Sequence, residues 1–293
     1  MPLTLESWPK MFNRKVRVII ASFESEEIRV NFNIEKSLVG YPNLANIKIY
    51  NLSESNRNII EEKGLHVQLF AGYEDTEAPM LFFGDVVNIV HQKSGADWIS
   101  EIFAADGVNI LSTATINKTL PAGTTTGQVY DELVGQMDGI SKGVTEGLKN
   151  CLSGKRSLLR ELQLSGNIKD WLDKLSKDCG FDYSVNDGVI ETTPSKAPIS
   201  DVPPTIINQA TGMIGSPERT EIGINVKNLL LPALKLGRTI KVESISEKIN
   251  VGNLFFRKIP PIRNEGVYRI DKLIHVGDNY DNPWETSIQA RNF

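Results

Sequence analysis

The chain has 293 residues with 32 Lys or Arg against 36 Asp or Glu, a net charge of −4. That length suits two or three domains, and 40% hydrophobic with 23% charged residues is the make-up of an ordinary globular protein. The charge balance argues against a dedicated nucleic-acid binder, which needs clustered cations to displace counterions. No apolar run approaches the roughly 18 residues of a membrane helix, and Met1–Glu6 shows no basic-then-apolar secretion signal. Cys151 and Cys179 make neither a disulfide framework nor a metal cage and are expected as reduced thiols.

The opening stretch is strand-like. Val16, Val18 and Ile20 alternate with Lys15, Arg17 and Ile19, and Ile28, Val30, Phe32 and Ile34 alternate with polar residues, so each strand buries one face. Glu24–Glu27 reads as the turn between them. Ile47, Ile49 and Val67–Phe70 supply further strands. Between these, Ser53 is a good N-cap and Gly64 a good terminator, which predicts a short helix over Glu54–Lys63. Gly84–His91 and Trp98–Ala105 follow as strands around the polar loop Gln92–Asp97. These elements predict a small barrel or sandwich, read as a barrel over residues 1–112.

Residues 113–200 have a different texture. Val129, Leu133 and Val134 share a helical face. Asn167 caps an amphipathic helix carrying Ile168, Trp171, Leu172 and Leu175, which stops at Gly180. Phe181–Val185, the turn Asn186-Asp187-Gly188 and Val189–Thr193 form a hairpin. This is a central α+β domain, with Pro194, Pro198, Pro203 and Pro204 as its exit linker. Over 201–293 strand texture returns at Ile224, Val226, Ile240, Val242, Tyr268, Ile270 and Trp284–Ala290. The expected fold is mainly β, two similar small β-barrels flanking the α+β domain.

The outer segments share an ordered series of matches. Ile47-x-Ile49-x-Asn51-Leu52 parallels Ile224-x-Val226-x-Asn228-Leu229. Gly64 precedes Val67 and Leu69 as Gly237 precedes Ile240 and Val242. Gly84 opens a strand leading to His91, and Gly266 one leading to His275. Trp98, Ile102 and Ala104 match Trp284, Ile288 and Ala290. Strand alternation explains the apolar matches but not the Gly, Asn-Leu and Trp offsets, so an internal duplication is expected. Three copies of a chain carrying two similar units present six units, which adapts six-fold to three-fold symmetry.

Catalytic signatures are missing. His66, His91 and His275 are scattered, without metal-ligand spacing. Gly212–Ser216 only resembles a nucleophile elbow and is read as a loop. Glu61-Glu62 reads as a solvated helix end, and Asp278–Asn282 as a hairpin loop of turn formers. Trp171, Trp98 and Trp284 are expected to pack cores, and Trp8 to lie in an N-terminal arm touching a neighbour. No catalytic, cofactor-binding or metal residue is assigned, and no cofactor is expected.

Lys36-Ser37, Pro42-Asn43, Ile47–Ser53, Gly72-Tyr73 and Phe83-Gly84-Asp85 resemble the first tube domain of tailed-phage baseplate hub proteins. Gly223–Leu231, Pro232, Gly237, Ser244, Gly266–Arg269 and His275–Asp278 resemble the second. The resemblance is weakest over Gly139–Leu158. It implies a non-enzymatic subunit of the virion tail, assembled in the host cytoplasm as a homotrimeric, pseudo-hexameric ring. Such a ring joins the tail tube protein to a central spike protein. Tape-measure and baseplate wedge proteins are further candidate partners, DNA passes only in transit, and no membrane is involved. The chain stopping at Phe293 implies a separate spike. The helix Glu54–Lys63 and the loops Gln92–Asp97 and Gly277–Pro283 are the expected contact surfaces. The competing readings are a tail-associated cell-wall hydrolase or glycan-binding component, and a type VI-like secretion component.

Overall fold

The computed structural model describes residues 13–25, 28–38, 42–62, 64–74, 77–149, 151, 158–244, 248–249 and 265–293. Trp8, Glu26, Glu27 and Lys63 lie outside them. The opening third supplies β1 (Arg14–Ile20), β2 (Phe23–Glu24), β3 (Val30–Ser37), β4 (Leu44–Tyr50), α1 (Glu54–Ile60), β5 (His66–Tyr73), β6 (Met80–Ser94) and β7 (Asp97–Ala105). Strict alternation does what the sequence predicts. Val30, Phe32 and Ile34 of β3 are wholly buried while Asn33 and Glu35 face water. Ser53 caps α1 by accepting the Asn56 N–H, and the helix closes at Glu61.

The central segment holds α2 (Val108–Thr113), β8 (Thr115–Leu120), α3 (Thr126–Gly135), β9 (Ser141–Lys142), β10 (Leu162–Asn167), α4 (Ile168–Cys179), β11 (Phe181–Asn186) and β12 (Val189–Pro194). Thr125 and Gln128 form a reciprocal capping box on α3. Asn167 caps α4, and Gly180 ends it in the left-handed region. Asp187 and Gly188, at φ +56° and +76°, make the two-residue turn between β11 and β12.

The last third supplies β13 (Thr205–Ile207), β14 (Met213–Arg219), β15 (Gly223–Leu229), β16 (Thr239–Glu243), β17 (Lys248–Ile249), β18 (Glu265–Asp278) and β19 (Trp284–Arg291). The expected loop at Gly212–Ser216 is mostly strand. Gly215 and Pro217 read as breakers, but they sit in a register irregularity between Ile214 and Glu218, where positive φ and a missing N–H are tolerated.

Fourteen strands of the two outer thirds form one sheet, ordered β17-β14-β15-β19-β18-β3-β4-β7-β6-β5-β1-β2, with β16 on β18 and β13 on β16. The expected closed barrels are therefore not present among the described residues. The edges that closure would have joined are satisfied differently: β18 of the last third pairs with β3 of the first.

Three apolar cores underlie this arrangement. The first lies beneath the opening third, the second is central around Tyr130, Leu133, Leu164 and Leu172, and the third lies beneath the last third. Two of them exchange residues. Leu230 and Trp284 belong to the first core, and Leu38 to the third.

Cys151 and Cys179 are not reduced thiols; they form a disulfide. Both are buried in the central core, and packing of α4 brings their Cα atoms to 5.4 Å, within bridging range. Two cysteines 28 residues apart gave no pattern from which to foresee it. Peptide mapping without reductant should recover the two linked. Cys179→Ser should lower the stability of this segment by about 3 kcal/mol, read from denaturant midpoints; equal midpoints would contradict a bridge.

Candidate functional site

The chemistry of interest is how the two sheet units meet. Residues Asn31–Ser37 of β3 pair antiparallel with Lys272–Asp278 of β18. At one end of this ladder Asp278, 2% exposed, accepts Arg29 Nε at 3.1 Å and Nη2 at 2.8 Å. Burial pushes the Asp278 carboxyl up, but the Arg29 hydrogen bonds, backbone N–H groups and the guanidinium charge outweigh it and hold it below its ordinary value. Asn279 doubles the clasp: its Oδ1 accepts the Val30 N–H at 2.8 Å, and its Nδ2 donates to Ile28 O. Arg14 donates to the carbonyls of Asp278 and Asp281 and to Asn282 Oδ1. The loop expected to face a neighbouring subunit thus grips its own chain. Beneath it Trp284 packs edge-on against Phe32, centroids 5.6 Å apart.

The two units have the same internal plan. Taken in chain order, the strands β3, β4, β5, β6 and β7 lie side by side as β3-β4-β7-β6-β5. Their counterparts β14, β15, β16, β18 and β19 lie as β14-β15-β19-β18-β16. Each unit has a one-residue bulge in its long strand, at Val87 and at Asp271. From these bulges the registers run in parallel, so Val67 with Ile240, His91 with His275 and Trp98 with Trp284 are equivalent. Two of the sequence matches move by two residues. Gly84 is equivalent to Tyr268, and Ile47 to Val226. A period-two pattern looks the same after such a step, which is why sequence offsets misplaced them.

The duplicated histidines have one role. His91 Nδ1 lies 2.8 Å from Ser100 Oγ on the facing strand, and His275 Nδ1 lies 2.9 Å from Thr286 Oγ1. Thr286 Oγ1 also accepts the Leu231 N–H, leaving its own proton for a neutral ring. Burial drives His275 down to about 3, with the Lys36 charge adding to the shift. His66 is separate, pairing with Asp85 at 2.9 Å. Trp98 is 40% exposed rather than core, with Arg57 over its ring.

The central segment is clamped to both units. Its Asp187-Gly188 turn plugs into the first: Asp187 pairs with Lys36 at 2.9 Å and accepts the Phe83 N–H. The Asp187 and Gly188 N–H groups donate to buried Asp106. Burial, then the neighbouring Asp187 charge, raise Asp106 to about 6. On the other side Arg238, 6% exposed, bonds Glu191 and Asp201, while Arg269, 1% exposed, donates to the carbonyls of Pro194 and Ala197. A cavity of about 280 Å³ lies where the three segments meet; its walls Lys36, Asp187 and Glu191 are held in ion pairs, and Lys235 is its fourth charged wall. Among the described residues no group of three His, Cys, Asp or Glu could hold a metal.

Residues 14–255 match the model of the family described as baseplate hub gp41. The chain belongs to that family. Comparison with curated proteins finds no match. Among solved structures, a tail protein from Neisseria meningitidis MC58 aligns over 96% of this chain and 97% of its own, at 9% identity and TM-score 0.62. The 43 kDa tail protein of prophage MuSo2 from Shewanella oneidensis aligns over 95% and 98%, at 10% identity and TM-score 0.62. An Escherichia coli protein aligns over 94% and 76%, at 10% identity and TM-score 0.59. It is described as a type VI secretion component with structural similarity to the T4 tail proteins gp27 and gp5. At these identities the likeness is one of fold.

Two outcomes test the clasp in this hub-family chain. Asp278→Ala leaves Arg29 and two loop N–H groups without their acceptor, and should cost about 2 kcal/mol in urea unfolding. His275 stays neutral in the fold down to about pH 3, whereas the unfolded ring takes up its proton near 6.5. Its contribution is therefore complete above pH 6.5 and drains as pH falls toward 3, by up to about 1.4 kcal/mol per unit. Asp106 acts in the opposite sense between its ordinary value and about 6. The measurement is accordingly the difference between wild type and His275→Gln: the variant should lose stability less steeply below pH 6.5, and parallel curves would contradict the assignment.

Proposed function

We propose that this chain is a structural hub subunit of a phage tail baseplate. It forms a homotrimeric, pseudo-hexameric ring that adapts the six-fold tail tube to a three-fold central spike. The observation that carries the reading is the repeated unit. One chain holds the same strand order twice, with the bulge and the His–hydroxyl pair at equivalent places, fused edge to edge through β3 and β18. Three copies then supply six near-equivalent faces to the tail tube protein while keeping three-fold symmetry for the spike protein. The division into 1–112, 113–200 and 201–293 belongs to the proposal, with the central domain outside the ring. Its ion pairs to both units, Asp187 with Lys36 and Glu191 with Arg238, hold them at one angle, which a symmetry adaptor requires.

The work done is geometric, and DNA is a passenger rather than a ligand. The place of action is the virion tail. Electron microscopy of tails containing this chain should show a three-fold ring with six similar lobes between tube and spike. A location outside the tube axis, or a ring of another order, would overturn the reading.

A further inference from the structure

The intramolecular joint gives the pattern for the joint between copies. In the last third, the long strand β18 uses one edge twice: Glu265–Arg269 pair with β16, and Lys272–Asp278 pair with β3 of the other unit. Its counterpart β6 has only the first half of this arrangement. His66–Phe70 of β5 cover the edge from Met80 to Asp85. Among the described residues, no strand pairs with that edge over Asn88–Ser94, the stretch equivalent to Lys272–Asp278.

The side chains match this reading. Trp284, at the made joint, is 4% exposed and packs on Phe32 across the joint; its equivalent Trp98 is 40% exposed. Val87 and Val90, beside the uncovered edge, are 62% and 42% exposed. A strand with an unpaired edge templates another strand unless something covers it.

We propose that the edge of Asn88–Ser94 receives β14 of a second copy of this chain, antiparallel, burying Trp98. β14 holds in the last third the place that β3 holds in the first. Carrying the β3–β18 register across the repeat sets Ser94 opposite Ile214, and His91 opposite Arg219. On that edge of β14, among the described residues, β17 makes a bridge at Glu218 and Arg219, and the incoming strand takes its place there. The irregularity at Gly215–Pro217 falls where Phe32 lies in β3, leaving small residues opposite the Trp98 ring. Each copy then offers one β6 edge that is uncovered among the described residues and one β14 edge, a head-to-tail contact that closes a ring.

This rests on the hub reading, and the test separates the two. Tails assembled with Ser94→Cys and Ile214→Cys in the full chain should yield, under mild oxidation, species of two and three linked copies on non-reducing gels. The control pair Ser94→Cys with Glu24→Cys, at the far edge of the sheet, should yield none. In wild-type tails, the amides of 88–94 should exchange hydrogen at least tenfold more slowly than in the free chain. A three-fold ring in which the control pair links, or in which 88–94 exchange as in the free chain, overturns this joint and leaves the hub reading standing. Tails in which the chain forms no ring overturn both.

Discussion

A strand edge exposes N–H and C=O groups that must find partners or water, and the organisation of this protein follows from where its edges are satisfied. Among the described residues neither outer third closes on itself. Instead β18 is long enough to serve β16 and then to reach β3, so the two units share one ladder. Everything else at the joint reinforces that choice. Arg29 meets Asp278, Asn279 fills the end of β3, and Trp284 and Leu230 enter the core of the opposite unit while Leu38 is given in return.

Fusion in this manner fixes an angle as well as a contact. A ladder alone lets two sheets twist against one another, since twist varies widely from strand to strand. The central segment removes that freedom by bonding to both units: its β11–β12 turn to Lys36 and Asp106, and Glu191 and Pro194 of β12 to Arg238 and Arg269. Buried ion pairs contribute little net stability, but each imposes a geometry, and a ring-forming subunit depends on geometry.

Much of this was legible in the sequence. Period-two alternation located β1, β3, β4 and β5. The Ser53 and Asn167 caps located two helices, and the Asp-Gly turn located the central hairpin. The repeat was visible because Trp98/Trp284 and His91/His275 keep their spacing from the strands around them. What stayed hidden depended on partners distant in the chain. Closure into barrels could not be distinguished from a shared ladder, because an edge-satisfied strand has the same alternation either way. Asp278 read as a loop former because Arg29 lies 249 residues away. The Cys151–Cys179 bridge, the strand through Gly215 and Pro217, and the clamps of Arg238 and Arg269 were hidden for the same reason.

The central claim is that one chain carries a unit and its rotated copy. An electron-microscopy reconstruction of tails containing the chain gives the most direct measurement: the rotation that superposes β3–β7 onto their counterparts β14, β15, β16, β18 and β19. The account predicts about 60° around a single axis with little shift along it, the step of a six-membered ring. A rotation far from that angle, or a large translation along the axis, would contradict it.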